Sequence, residues 1–98
     1  MPKLTMQEVN HYLTELKPGW KVADDHHIEK TYPFKDFKSA LAFVNKVGLV
    51  AEQEGHHPDI YLAWGKVEIR LWTHKINGLS ESDFILAAKC DAIENNDN

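Results

Sequence analysis

Apolar positions along the chain change their period several times, and each change marks an element. Val9, Tyr12, Leu13 and Leu16 recur at helical spacing. Thr5-Met6-Gln7-Glu8 ahead of them has the form of a capping box, and Pro18-Gly19 behind them stops the helix. Trp20-Lys21-Val22 then alternates as a strand does, and Asp24-Asp25 supplies a turn. Ile28, Lys30 and Tyr32, interleaved with His27, Glu29 and Thr31, predict a second strand that closes a hairpin. From about Lys35 to Glu54, the residues Phe37, Ala40, Leu41, Val44, Val47, Gly48 and Ala51 share one face of a long helix. Gly55 suits the left-handed position that ends it.

Two further strands, Asp59 to Trp64 and Lys66 to Thr73, flank Gly65 and predict a second hairpin. Val67, Ile69 and Leu71 occupy one parity of the latter strand and Glu68, Arg70, Trp72 and His74 the other, so His74 is expected to face away from the core. Asn77-Gly78 forms a loop, and Ser80 with Asp83 reads as another helix cap. Leu86, Ala87, Cys90 and Ile93 mark the buried side of a last helix, with Glu94 to Asn98 expected to fray. The reading is an α+β fold in the order α-β-β-α-β-β-α, one domain over residues 1–98. Its four-stranded antiparallel sheet carries three helices on one face. The other face is left to solvent, a ligand or a second subunit.

Composition narrows the class. Hydrophobic residues make up 43% and charged residues 27% of 98 positions, which is the balance of an ordinary globular chain. A net charge of -4 with interspersed lysines offers no basic stripe, so direct nucleic-acid binding is not expected. The single cysteine, Cys90, excludes an internal disulfide, and no zinc-type Cys/His spacing occurs. No stretch approaches the roughly 18 apolar residues of a membrane span, and no secretory signal pattern opens the chain. The expected location is cytoplasmic.

The densest chemistry lies in Glu52-Gln53-Glu54-Gly55-His56-His57-Pro58, followed later by Thr73-His74. His56 and His57 leave the long helix just before one strand, and His74 ends the strand expected to pair with it, so the three imidazoles converge at one rim of the sheet. Taken singly, histidines at helix ends serve terminal carbonyls or face water. Zinc needs three nitrogens converging at about 2.0–2.1 Å, and adjacent histidines in extended chain point to opposite sides, so metal is the minor option. General acid–base chemistry needs only imidazoles that exchange protons near neutral pH, and it fits the cluster better. Nucleophilic catalysis has little support, because Cys90 belongs to an apolar helix face and no serine sits in an elbow. Trp64 and Trp72 are open between hairpin packing, a subunit contact and an aromatic wall for a flat ligand. His11, His26 and His27 lie in segments without convergent partners and receive no role. Asp83 is first of all a helix cap, and Glu52 alone is a solvated helix residue.

The series Glu52, His56-His57-Pro58, Trp64, His74 and Asp83 resembles the signature of the pterin-4a-carbinolamine dehydratase family. Lys66 to His74 resembles the family's last strand, Gly78-Leu79-Ser80 with Asp83 the start of its last helix, and weaker similarity runs through Trp20-Lys21 and Tyr32-Pro33-Phe34. The resemblance implies an α+β lyase that removes water from a 4a-hydroxytetrahydropterin, such as 4a-hydroxytetrahydrobiopterin, to give a quinonoid dihydropterin. That reaction recycles the tetrahydropterin cofactor of an aromatic amino acid hydroxylase, and no metal or other cofactor is implied. It further implies a catalytic set of His56, His57 and His74, with His56 and His74 moving protons and His57 chiefly orienting the pterin. Pro58, Thr73, Lys75 and Ile76 join these histidines as substrate contacts, and Glu52 and Asp83 support them. Glu52 is expected to orient a histidine and favour its charged form.

One departure stands out: the family often carries Asp or Asn just before the first histidine, where this chain has Gly55. A ligand-orienting hydrogen bond is therefore expected to be absent. The competing function is a binding module, since relatives act as dimerisation cofactors of a homeodomain transcription factor; a zinc protein is the third. Self-association as a dimer or tetramer is expected from the uncovered sheet face and from the resemblance.

Overall fold

A computed structural model describes residues 3–97, with side chains up to Glu94. The element order is α1 (Met6–Glu15), β1 (Lys21–Ala23), β2 (His27–Pro33), α2 (Phe37–Glu54), β3 (Asp59–Ala63), β4 (Lys66–Leu71), a short 3-10 turn (His74–Ile76) and α3 (Glu81–Asp97). Helix α1 starts as its capping box dictates: Glu8 N–H donates to Thr5 Oγ1 at 3.2 Å and Thr5 N–H to Glu8 Oε1 at 2.9 Å. Helix α2 starts at Asp36, whose Oδ1 accepts from Ser39 N–H at 2.8 Å.

The sheet is antiparallel throughout and runs in the order β1-β2-β4-β3. The two hairpins therefore join through β2 and β4, with Ile28 opposite Leu71 and Tyr32 opposite Val67. One face carries Ile28, Tyr32, Val67, Ile69 and Leu71, all fully or almost fully buried under the helices. Across the opposite face, Lys21, Glu29, Arg70 and Asp59 line up on four neighbouring strands with alternating charge. Helix α3 is tied to the sheet by the buried Asp91, which accepts from Trp20 Nε1 at 3.1 Å, Lys30 Nζ at 2.7 Å and Tyr32 OH at 2.5 Å. No described helix is long and apolar enough to cross a membrane.

Several sequence expectations shift. The buried side of α2 is Ala40, Phe43, Val47 and Ala51, while Phe37 and Leu41 are exposed, because Phe43 turns inward onto Tyr32 and Phe34. Strand β3 ends at Ala63 and β4 at Leu71. Thr73 instead makes an isolated bridge to Gly78, so His74 opens the 3-10 turn rather than ending a strand. Helix α3 continues through Asp97 in place of a frayed tail from Glu94; Asn98 lies outside the described residues.

Candidate active site

Two chain reversals at one end of the sheet build the site. At the first, Gly55 takes the left-handed conformation (φ +65°) after α2, and His56 N–H folds back onto the Ala51 carbonyl at 3.2 Å. The left-handed region penalises a Cβ, which is why glycine suits this place. The chain then enters β3 through His57 and Pro58. At the second, Thr73 and Gly78 bridge with Thr73 N–H donating to the Gly78 carbonyl at 2.8 Å, pinching off the 3-10 turn that carries His74. The start of β3 and the end of β4 are neighbours, since Asp59 pairs with Arg70, and this brings the reversals together.

Between them lies a cleft of about 560 Å³. His56, His57, Thr73, His74, Lys75 and Ile76 all line it, as do Glu54, Gly55 and Ser82. Pro58 and Glu52 are not among its walls, and Asp83 lies behind them. Glu54 stands in the dense run before Gly55 with no role read for it, and Ser82 carries no signal in the sequence. They arrive through the packing of α2 on α3, where Lys89 Nζ meets Glu54 Oε2 at 2.9 Å.

Asp83 is the most constrained group near the cleft. It is fully buried, and its Oδ1 sits 2.5 Å from His56 Nε2. Its Oδ2 accepts from Ser80 N–H and from Thr73 Oγ1, both at 2.9 Å, and Thr73 Oγ1 also contacts Ser80 Oγ at 2.6 Å. Of the capping box read from Ser80 and Asp83, the carboxylate half is present, with Asp83 accepting from Ser80 N–H while Ser80 Oγ turns to Thr73, and the same carboxylate orients a histidine. A carboxylate only accepts, so His56 Nε2 carries the hydrogen, and Nδ1 is left with a lone pair in the neutral ring. His57 Nε2 pairs with Glu52 Oε2, but both side chains are largely exposed, so this contact aims the ring weakly.

His74 is held differently. Its ring lies flat on the Trp72 indole, with centroids 4.5 Å apart and planes 8° from parallel. Trp72 is thereby an aromatic support for a histidine, whereas Trp64 is 69% exposed. His26 and His27, which the sequence left without partners, converge here: His26 lies 5.0 Å and His27 6.0 Å from the indole, centroid to centroid. Hairpin β1–β2 brings them in from distant sequence, and only its pairing with β4 reveals it. His11 pairs with Glu15 on the exposed face of α1, away from the cleft. Among the described residues, no three His, Cys, Asp or Glu side chains form a metal-ligand set; the Nε2 atoms of His56 and His57 each face a carboxylate.

Residues 2–93 match the family described as Pterin 4 alpha carbinolamine dehydratase. A relative from Alkaliphilus metalliredigens, provisionally named a pterin-4-alpha-carbinolamine dehydratase, is 56% identical over 92% of this chain and 81% of its own. One from Rubrobacter xylanophilus with the same provisional name is 48% identical over 95% of this chain and 86% of its own. Among solved structures, a transcriptional coactivator/pterin dehydratase from Brucella melitensis superposes with a TM-score of 0.89 at 38% identity, covering 94% of this chain and 98% of that one. A pterin dehydratase-like protein identified as a RuBisCO assembly factor in the alpha-carboxysome shares the fold, with a TM-score of 0.67 at 24% identity over 78% of this chain and 89% of its own. With a family match from residue 2 to residue 93 and relatives about half identical along nearly all of its length, this chain belongs to the pterin-4-alpha-carbinolamine dehydratase family.

Proposed function

We propose that the protein is a dehydratase that converts a 4a-hydroxytetrahydropterin to the quinonoid dihydropterin and water. The observation that carries this reading is the cleft walled by three imidazoles, one of them oriented through Nε2 by a buried carboxylate. The elimination breaks the C4a–O bond and the N5–H bond and makes a C4a=N5 double bond. The hydroxyl leaves as water after taking one proton from an acid, while a base takes the N5 proton, so the protein ends with its proton count unchanged. His56, with Nε2–H given to Asp83 and Nδ1 free, suits the base. An imidazolium formed there is balanced by the adjacent carboxylate. His74, whose ring nitrogens have no hydrogen-bond partner among the described residues, suits the acid. His57 and the 73–76 segment orient the flat heterocycle.

The test generates the 4a-hydroxypterin with an aromatic amino acid hydroxylase and follows its dehydration spectroscopically. Wild type should exceed the spontaneous rate, and His56→Ala and His74→Ala should each lose roughly 10²–10⁴-fold. A wild-type rate equal to the spontaneous one refutes the reading. A second reading, a protein-binding role, is favoured by the coactivator designation of the Brucella structure; under it, the histidine variants would keep full binding function. Self-association belongs to either reading: β3 is an edge strand, with Tyr61 on it 58% exposed and Trp64 just after it 69% exposed, and sedimentation reports the state.

A further inference from the structure

We infer that His26, which lines no part of the cleft, is a positioning residue for His74, acting through Trp72 and Asn77. The inference rests on the dehydratase reading for its catalytic meaning, but its geometry stands apart. His56 is aimed by a hydrogen bond; His74 has none from a described residue, and its ring is stacked on the face of Trp72. Whatever holds the indole therefore holds the imidazole.

His26 is fixed at both ring nitrogens. Its Nε2–H donates to Asn77 Oδ1 at 2.8 Å, and its Nδ1 lies 3.2 Å from Nδ1 of the buried His27. Because Asn77 Oδ1 only accepts, the neutral His26 ring has its hydrogen on Nε2, which leaves Nδ1 as the lone-pair side facing His27 Nδ1. So anchored, His26 reaches the His74 segment from both sides. Ahead of His74 it contacts the Trp72 indole at 5.0 Å. Behind it, Asn77 ends the 3-10 turn in the left-handed conformation (φ +50°) and donates its own N–H to the His74 carbonyl at 3.2 Å. The result is a closed bracket: His74 ring, Trp72, His26, Asn77 and back to the His74 backbone. Asn77 is one of the few residues that accept this backbone conformation and still offer a side-chain acceptor to His26.

Proton transfer depends on placing the ring to within a fraction of an ångström, a tighter demand than binding makes, so loosening the bracket should lower turnover more than it weakens substrate binding. For His26→Ala we expect kcat to fall roughly tenfold with KM little changed. His26→Gln, which keeps an N–H donor toward Asn77, should recover part of that loss. An independent readout is the ring-proton resonances of His74, which the indole ring current displaces upfield while the stack holds. They should move toward unstacked values in His26→Ala and remain in place in His11→Ala. Their movement supports the positioning role even if the wild type proves not to dehydrate a pterin, in which case the functional reading falls alone. Conversely, unmoved His74 resonances with wild-type kcat in the folded variant overturn the inference and leave the dehydratase reading intact. A lowered unfolding midpoint with neither change also overturns it, since that marks His26 as merely structural.

Discussion

Asp83 Oδ1 and His56 Nε2 stand 2.5 Å apart, with the carboxylate fully buried and the imidazole at the wall of the cleft. The pair sets the tautomer that leaves Nδ1 as the free nitrogen. Asp83→Asn should fold, because the amide oxygen can still accept from Ser80 N–H and Thr73 Oγ1. Its NH2 group would then face His56 Nε2 and force the hydrogen onto Nδ1, removing the lone pair from the working side. Turnover should drop on the order of 10²–10⁴-fold while the urea midpoint stays close to wild type. Equal loss in both would assign Asp83 to capping alone.

Gly55 joins the end of α2 to the cleft wall, and its two roles separate by substitution. At φ +65° an alanine is strained, so Gly55→Ala should cost about 1 kcal/mol in urea unfolding. A Cβ there meets nothing within 4 Å, and asparagine tolerates this backbone conformation, so Gly55→Asn should lose less. It would also place an amide beside His56, and the expected gain is a lower KM for the pterin with kcat little altered.

The elements were legible because local rules governed them. The Thr5 box, the Gly55 stop and the turn at Gly65 each act within a few residues, and the alternation in β4 sorted Val67, Ile69 and Leu71 from Glu68 and Arg70 correctly. The three histidines could be nominated from spacing. Their supports could not. Asp83 reaches His56 from a helix start, and His26 reaches Trp72 from the other hairpin; both depend on the β2–β4 pairing and the α2–α3 packing, which leave no periodic trace in sequence. His26 and His27 accordingly show no partners in sequence, though both meet Trp72 in the fold. A count of apolar positions cannot tell the outward Leu41 from the inward Phe43, so the buried face of the long helix is rotated from the one that count predicts.

Cys90 gives a prediction in pH. Burial, followed by the nearby Asp91 charge and opposed by Lys30, pushes its thiol from the ordinary 9.0 up to about 12. The native state thus keeps the neutral thiol while the unfolded chain ionises. This contribution to stability is complete below pH 9 and is lost as pH rises from 9 toward 12. Between pH 9 and 10, below the ordinary tyrosine range, wild type should lose about 1 kcal/mol more than Cys90→Val in urea titrations. The folded protein should also resist thiol alkylation at pH 8 until it is unfolded, consistent with a packing role for this residue.

The buried cluster around Asp91 yields the largest expected effect on stability. Lys30 and Asp91 side chains are 12% and 3% exposed, and Lys30 also lies over the Tyr32 ring at 4.7 Å. Burial first, and then the hydrogen bond to Asp91, raise the Tyr32 phenol far above its ordinary value, so it remains a donor to that carboxylate. Asp91→Ala strands the Lys30 charge and leaves the Tyr32 and Trp20 donors unmatched, which should cost about 3–5 kcal/mol. Lys30→Met alone should cost less, because Asp91 keeps two hydrogen bonds and the thioether chain fills the space. If the stranded charge dominates, Lys30→Met in the Asp91→Ala background should restore at least about 1 kcal/mol, a coupling that urea unfolding of the four proteins measures directly. Costs that simply add would place the loss in the unmatched phenol and indole instead. In either case, turnover per folded molecule should be unchanged, because none of these side chains reaches the cleft.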